Sequence, residues 1–550
     1  MKARMILSAL MVSAIAAAAL SGCGQAKSKT ESSASEAAAT ETTVPESTVP
    51  ETTVAEPVTN LPKTDMTKWH YSEENDLYYQ IGISYCEHPV DERYQKLAYF
   101  VPAPYMDATK NADDTYTCKL NESAEVNGFT AATAPIALSV NTPSYYAAEA
   151  MTEDTVDMGI NMGGIGDFTS MGMVYVYPGC RGIDEGAPSG VTDLKAAIRY
   201  LRYCDDVNAG DAEKIFTFGL SGGGAQSVLL GASGDSEMYE PYLEAIGAVQ
   251  GVSDSVLGSA SWCPVTSLDT ANAEYEWMMG CTREGRSPEE NAMSDKLAEA
   301  FAKYVNSAGF VDENGNELKL AESEEGIYQA GSYYDHVKGV IERSLNNYLA
   351  DLSDPQAAQG YVDDMNDGKK WIDYDKSTNT ATISSIADFA RECKQAKNLT
   401  TGFDQPEGQN NLFGYGDSKR AHFDRILCDV LTELGSKYAA DYSEDLAKKD
   451  ALGYSVEQRV NMYSPLYFLM ESREGYKTAN VAKYWRIRSG IEQDTNSVTT
   501  EINLDLALKA FDGVESVDFE TIWERNHDLA ERDGGDGIEN FIDWVISCTK

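Results

Sequence analysis

Ser221 stands in Gly219-Leu220-Ser221-Gly222-Gly223, between the apolar run Ile215 to Phe218 and the small-residue stretch Ala225 to Leu230. A short apolar run, a glycine-flanked serine and a helical stretch form the pattern of a nucleophile elbow: buried strand, sharp turn, helix. Side chains two residues either side of such a serine would collide, and Gly219 and Gly223 occupy those positions. The exposed Oγ then stands over the helix N-terminus, whose free N–H groups favour a developing oxyanion. In a chain with 44 glycines the motif alone is weak, and its strand-turn-helix setting gives it weight.

A serine nucleophile needs a base, and the chain has five histidines. His70 and His88 lie far upstream of Ser221, and His336 and His422 lie in a long middle region. His527 follows a predicted strand, Val517 to Trp523, and precedes a predicted closing helix, Glu539 to Ile546. Strand, loop histidine and terminal helix are the ending expected of an α/β-hydrolase, which makes His527 the expected base. In that fold the order is serine, acid, histidine. Lys483 to Arg488 reads as a strand and Val498 to Phe511 as a helix, with Asp494 on the loop between them. Asp494 is therefore the expected acid, fixing the imidazole tautomer; Glu492 is its rival and Asp518 a third choice.

The elements that must position these residues alternate. Gly172 to Tyr177 reads as a strand, Val191 to Tyr203 as a helix, then come the elbow strand and helix and a further apolar run, Ala245 to Val252. Alternation of this kind predicts the α/β class: a doubly wound, mostly parallel sheet covered on both faces, with Ser221 at the carboxyl end of a central strand. Residues 65–265 and 481–550 make up this expected core. Residues 266–480 exceed what a crossover needs and are read as an inserted lid or substrate domain, with helices at Ser294 to Val305 and Arg420 to Tyr438 and a hairpin at Trp371 to Ser384. Core packing accounts for most of its tyrosines and tryptophans. Asp205, Asp206, Asn208 and Asp211 miss the spacing of a calcium loop.

Residues 1–22 have the form of a lipoprotein signal peptide: Lys2 and Arg4, an apolar centre from Met5 to Leu20, and Leu20-Ser21-Gly22-Cys23, which resembles a bacterial lipobox. Cys23 is then the lipidated N-terminus, holding the protein at the outer face of the cell membrane without spanning it. Residues 23–64 read as a disordered tether rich in Ser, Thr, Glu and Pro. The excess of 88 acidic over 44 basic residues, a net charge of −44, argues against nucleic acid and anionic lipid headgroups as partners, since both need a basic surface. Beyond Cys23 there are nine cysteines and no CxxC, so a structural zinc site is not expected and at least one thiol stays unpaired.

The segments VYVYPGCRG, APSGVTDLKAAIRYLR, GLSGGGAQSVLLGASGDS, YWRIRSGIEQDT and DFETIWERNH resemble the bacterial, subtype-B tannases and feruloyl esterases. The likeness runs over roughly residues 75–548, with WCPVTSLDTANAEYEWM and NNLFGYGDSKRAHF in the same register. It implies Ser221 as nucleophile, Asp494 as acid and His527 as base of a carboxylic-ester hydrolase acting through an acyl-serine. Leu220 and Asn526 stand where the fungal relatives carry a cysteine pair, so the resemblance is to the bacterial type. The oxyanion hole is expected from the Gly222 N–H and from Ser144 or Tyr145, since Pro143 has no N–H. No metal or organic cofactor is implied. The expected partner is a small-molecule ester, aromatic (gallate- or ferulate-like) if the resemblance extends that far. A serine peptidase of the same fold and a non-catalytic binding lipoprotein are the competing readings.

Overall fold

The computed structural model describes residues 57–550 apart from 157–163, 353, 406–407, 415–419 and 533–534. The expected signal peptide, Cys23 and most of the tether lie outside the described residues. Nine strands form the central sheet: β1 (His70–Ser72), β2 (Leu77–Ser84), β3 (Lys96–Pro102), β4 (Ile136–Ser139), β5 (Val174–Pro178), β6 (Ile215–Leu220), β7 (Gly258–Trp262), β8 (Tyr484–Gly490) and β9 (Ser516–Ile522). Their spatial order is β1-β2-β3-β5-β4-β6-β7-β8-β9. The first three are antiparallel, and β3 pairs antiparallel with β5. From β5 to β9 every pairing is parallel. This is an α/β-hydrolase sheet, and Ser221 follows directly on its central strand β6.

Side-chain alternation on β6 builds two cores. Ile215 points into the core on one face, which also takes the apolar residues of the helices Ser189–Tyr203, Gly222–Ala232 and Thr499–Ala510. Phe216 and Phe218 point to the other face, under the helices Ile165–Ser170 and Gly537–Thr549. There Phe218 meets Phe541 at 4.6 Å and Phe168 at 5.4 Å between ring centroids. Each such burial stabilises the fold by about 1.5–3 kcal/mol.

The apolar run Ala245 to Val252 is not a sheet strand. A helix, Glu240–Ala245, ends there, and β7 follows at Gly258–Trp262. β7 is Gly-Ser-Ala-Ser-Trp, buried on both faces, and its small residues carry no apolar signal. The expected tether also ends earlier than residue 64. Val58 pairs with Gln250, Leu61 is buried, and the hydroxyls of Tyr200 and Tyr203 donate to the carbonyls of Pro62 and Leu61.

Between β7 and β8, residues 263–483 supply no strand to the central sheet among the described residues. They form helices, among them Ala271–Met279, Pro288–Ala308 and Ser332–Asp351, and one hairpin, Ile372–Asp375 with Thr380–Ile383. The expected helix over Arg420 to Tyr438 is shorter, Arg425–Glu433, capped by Asp424 and stopped before Gly435 at positive φ. The insertion is part of the same compact unit as the sheet, residues 54–550.

Candidate active site

Ser221 adopts φ 59° and ψ −120°, a backbone conformation that costs about 1–3 kcal/mol for a non-glycine residue. The glycines on either side make the turn possible. A Cβ on Gly219 would lie 2.4 Å from the Gly223 carbonyl carbon, and one on Gly223 would lie 2.1 Å from the Val140 carbonyl oxygen. The Ser221 N–H donates to the Trp262 carbonyl at 2.9 Å, which ties the turn to the end of β7. Cys263 continues this line: its N–H donates to the Arg488 carbonyl at 2.8 Å, linking β7 to β8.

The histidine loop sits on the same strand ends. The buried Cys263 Sγ lies 3.7 Å from the Asn526 carbonyl and 3.5 Å from that of Asp528, and it accepts the Gly490 N–H at 3.4 Å. A Cβ on Gly490 would come within 1.9 Å of the Asn526 carbonyl oxygen, so the loop rests directly on β8. Below it, Glu531 accepts from Trp262 Nε1 at 3.0 Å and from Arg486 at 2.8 Å, both buried. Ser221 and His527 are thereby brought to one edge of the sheet, both half-buried.

His527 Nδ1 lies 2.7 Å from Gln493 Oε1. The residue on the histidine is thus Gln493, one position before the expected Asp494. Among the described residues the Asp494 carboxylate pairs with Lys397, and the Asp494 carbonyl accepts from the Tyr275 hydroxyl at 2.8 Å. The loop geometry explains the shift: the Glu492 and Gln493 N–H groups bond to the Arg525 and Gly490 carbonyls, forming a turn that sets the Gln493 side chain against His527 and the Asp494 carboxylate against Lys397. Glu492 faces Glu524, and burial with that like charge pushes it up to about 7. Asp518 pairs with Arg488 at 2.7 Å.

The Gln493 amide is itself oriented. Its Nε2 donates to Ser489 Oγ at 2.6 Å and to Glu501 Oε1 at 2.8 Å. A carboxylate only accepts, so the amide nitrogen faces Glu501 and its oxygen faces His527. That oxygen also only accepts, so Nδ1 carries the imidazole proton and Nε2 is left as the basic nitrogen. Burial holds His527 below the ordinary histidine value, Lys397 adds to this, and Asp528 and Asp494 oppose it. Neither Gln493 nor Glu501 was anticipated. The sequence signal was a polar residue in the loop after β8 and a glutamate in the first turn of the helix Thr499–Ala510.

The elbow helix begins against the segment after β4. A Cβ on Gly222 would lie 2.5 Å from the Tyr145 nitrogen and 3.1 Å from that of Ser144, so the start of the elbow helix lies directly against this segment. Ser144 and Tyr145 both have positive φ, 52° and 62°. The Tyr145 N–H already donates to the Thr142 carbonyl at 2.9 Å, and its hydroxyl donates to the Val265 carbonyl. Ser144 is the better-placed donor of the two. The turn at Asp205 to Asp211 is closed on itself, with Asp205 accepting the Ala212 N–H and Asp211 the Glu213 N–H. None of the nine described cysteines is in a disulfide.

The BD-FAE family model matches residues 138–325, from the end of β4 through the elbow and β7. A tannin acyl hydrolase from Lactobacillus plantarum superposes with a TM-score of 0.68 at 26% identity, covering 86% of this chain and 94% of that one. A tannase from Fusobacterium nucleatum gives 0.69 at 25% identity, covering 86% and 95%. The chain is a tannase- and feruloyl esterase-like carboxylic-ester hydrolase. A tannin acyl hydrolase in complex with 3,4-dihydroxybenzoate matches this esterase with a TM-score of 0.68 at 27% identity, over 86% and 94% of the two chains. No curated protein matches it by sequence.

Proposed function

We propose that this esterase works through an acyl-serine intermediate, with Ser221 as nucleophile, His527 as general base and Gln493 in place of the usual acid. The observation that carries this reading is the Gln493 Oε1 to His527 Nδ1 bond at 2.7 Å, on the sheet edge that also holds Ser221 at φ 59°. His527 Nε2 takes the Ser221 hydroxyl proton as Oγ attacks the ester carbonyl carbon. The oxyanion is received by the N–H groups of Gly222 and Ser144, at the start of the elbow helix. The C–O bond to the alcohol then breaks, and the imidazolium returns its proton to the leaving oxygen. Water, deprotonated by His527, hydrolyses the acyl-serine and regenerates both residues. Histidine held neutral by its burial is the form that this cycle requires at neutral pH.

The acyl group is read as a small phenolic acid, in line with the relative bound to 3,4-dihydroxybenzoate. Export and anchoring through a lipid on Cys23 complete the proposal, resting on the lipobox-like Leu20-Ser21-Gly22-Cys23. The test is an ester panel (methyl gallate, methyl ferulate, short-chain p-nitrophenyl esters) with Ser221→Ala as control. Hydrolysis and fluorophosphonate labelling are both expected in the parent and lost in the variant. Labelling that survives Ser221→Ala counts against the serine assignment. Labelled-palmitate incorporation, lost in Cys23→Ala, checks the anchor.

A further inference from the structure

A triad without an acid lacks the negative charge that stabilises the imidazolium formed during reaction. Gln493 supplies an oxygen acceptor and no charge. Its other end, however, is bonded to a fully buried carboxylate, Glu501, in the first turn of the helix Thr499–Ala510. Three donors converge on Glu501 Oε1: Gln493 Nε2 at 2.8 Å, Ser489 Oγ at 2.9 Å and Asn496 Nδ2 at 3.1 Å. Hydrogen bonds of this number favour the ionised form, and the first turn of a helix favours an anion there. Burial is the largest influence and holds the Glu501 carboxyl above its ordinary value; the hydrogen bonds from Asn496 and Ser489 and the positive charge of the buried Lys394, which donates to the Ile491 carbonyl at 2.9 Å, oppose it.

We propose that Glu501 is the charge of this catalytic site, acting on His527 through the Gln493 amide. The chain runs Glu501 Oε1, Gln493 Nε2–H, Gln493 Oε1, His527 Nδ1–H, with heavy-atom separations of 2.8 and 2.7 Å at its two hydrogen bonds. Glu501 touches no reacting atom and is a positioning residue. It fixes which way the amide faces, the amide fixes the tautomer, and the polarised amide passes part of the charge to the imidazolium. A carboxylate placed one residue further back leaves only a neutral group beside the base. The other charges that His527 feels are Lys397, Asp494 and Asp528, and Glu501 has Lys394 and the Cys263 thiol near it.

This inference rests on the serine mechanism proposed above, and the experiment separates the two. Glu501→Gln keeps an acceptor for the Gln493 amide and removes the charge. On p-nitrophenyl acetate kcat is expected to fall ~10- to 100-fold, less than the ~10⁴ that follows loss of a direct triad acid, with KM within ~2-fold. The acidic limb of the kcat/KM profile moves to lower pH, because the imidazolium has lost a stabilising anion. The exchanged pair, Gln493→Glu with Glu501→Gln, returns the charge to the site and is expected to recover kcat to within ~3-fold of the parent. A merely structural Glu501 predicts no such recovery. An unchanged kcat and limb in Glu501→Gln overturns the proposal. So does an exchanged pair that melts like the parent yet is no faster than the single variant. If Glu501→Gln does not fold, the exchanged pair decides against the parent: kcat within ~3-fold supports the charge, and a folded exchanged pair more than ~10-fold slower overturns it. A parent that fails to label with fluorophosphonate overturns the serine mechanism; a labelled parent with an indifferent Glu501 overturns only the charge.

Discussion

His527 is engaged by an amide, and Asp494, the carboxylate next in sequence, faces Lys397. This makes the two neighbours separable. Asp494→Asn is expected to cost under ~10-fold in kcat, whereas Gln493→Ala leaves Nδ1 without its acceptor and costs ~10²- to 10³-fold, both read on one ester at saturating concentration. The pH profile carries the same logic with signs. Lys397 pushes His527 down and Asp494 pushes it up. Lys397→Ala therefore moves the acidic limb of kcat/KM to higher pH and Asp494→Asn moves it lower. Lys397 is well exposed, so the first shift shrinks in ~0.5 M salt. Ser221, Gly219, Gly223 and His527 were readable from residue type and order. Gln493 was not, because a one-residue difference in a turn decides which side chain points inward.

The helices after β7 and β8 are joined by buried carboxyls. Glu274, on the lid helix Ala271–Met279, accepts from Thr499 at 2.9 Å and Thr500 at 3.1 Å, at the start of the helix Thr499–Ala510. Asp424 caps the helix Arg425–Glu433 through the Leu427 N–H and accepts from Asn272 of the same lid helix at 2.7 Å. Burial pushes both up to about 7. Their folded values exceed the ordinary carboxyl value of about 4, so their contribution is full below that value and is lost as pH rises through about 7. Melting temperature is expected to fall between about pH 4 and 7 and to level off above that, and Glu274→Gln is expected to flatten that fall. A melt series across this range in parent and variant checks it. The strands β5, β6, β8 and β9 were readable from apolar or alternating residues, but β7 was not. Its Gly-Ser-Ala-Ser sequence reads as a loop until two neighbouring strands bury it.

Across the whole molecule, the segment at residues 57–64 closes over the helix Ser189–Tyr203 and the Gln250 turn. It contributes the buried Leu61, two tyrosine hydrogen bonds and the Asn60–Glu87 contact at 2.9 Å. A chain starting at residue 65 is expected to melt about 2–6 °C below one starting at residue 57, with kcat unchanged, since the segment is remote from Ser221. Its composition is that of a tether, and only the surface it lands on makes it part of the fold. The sequence by itself determined the alternation of strands and helices, the elbow and the order of serine and histidine. Those depend on local periodicity and on the collisions a tight turn forbids. The tertiary structure decided which polar side chain reaches the histidine, which strand completes the sheet beside the elbow, and where a buried negative charge lies. Each of these depends on contacts between segments distant in the chain, through distances and burial that local residue order does not encode.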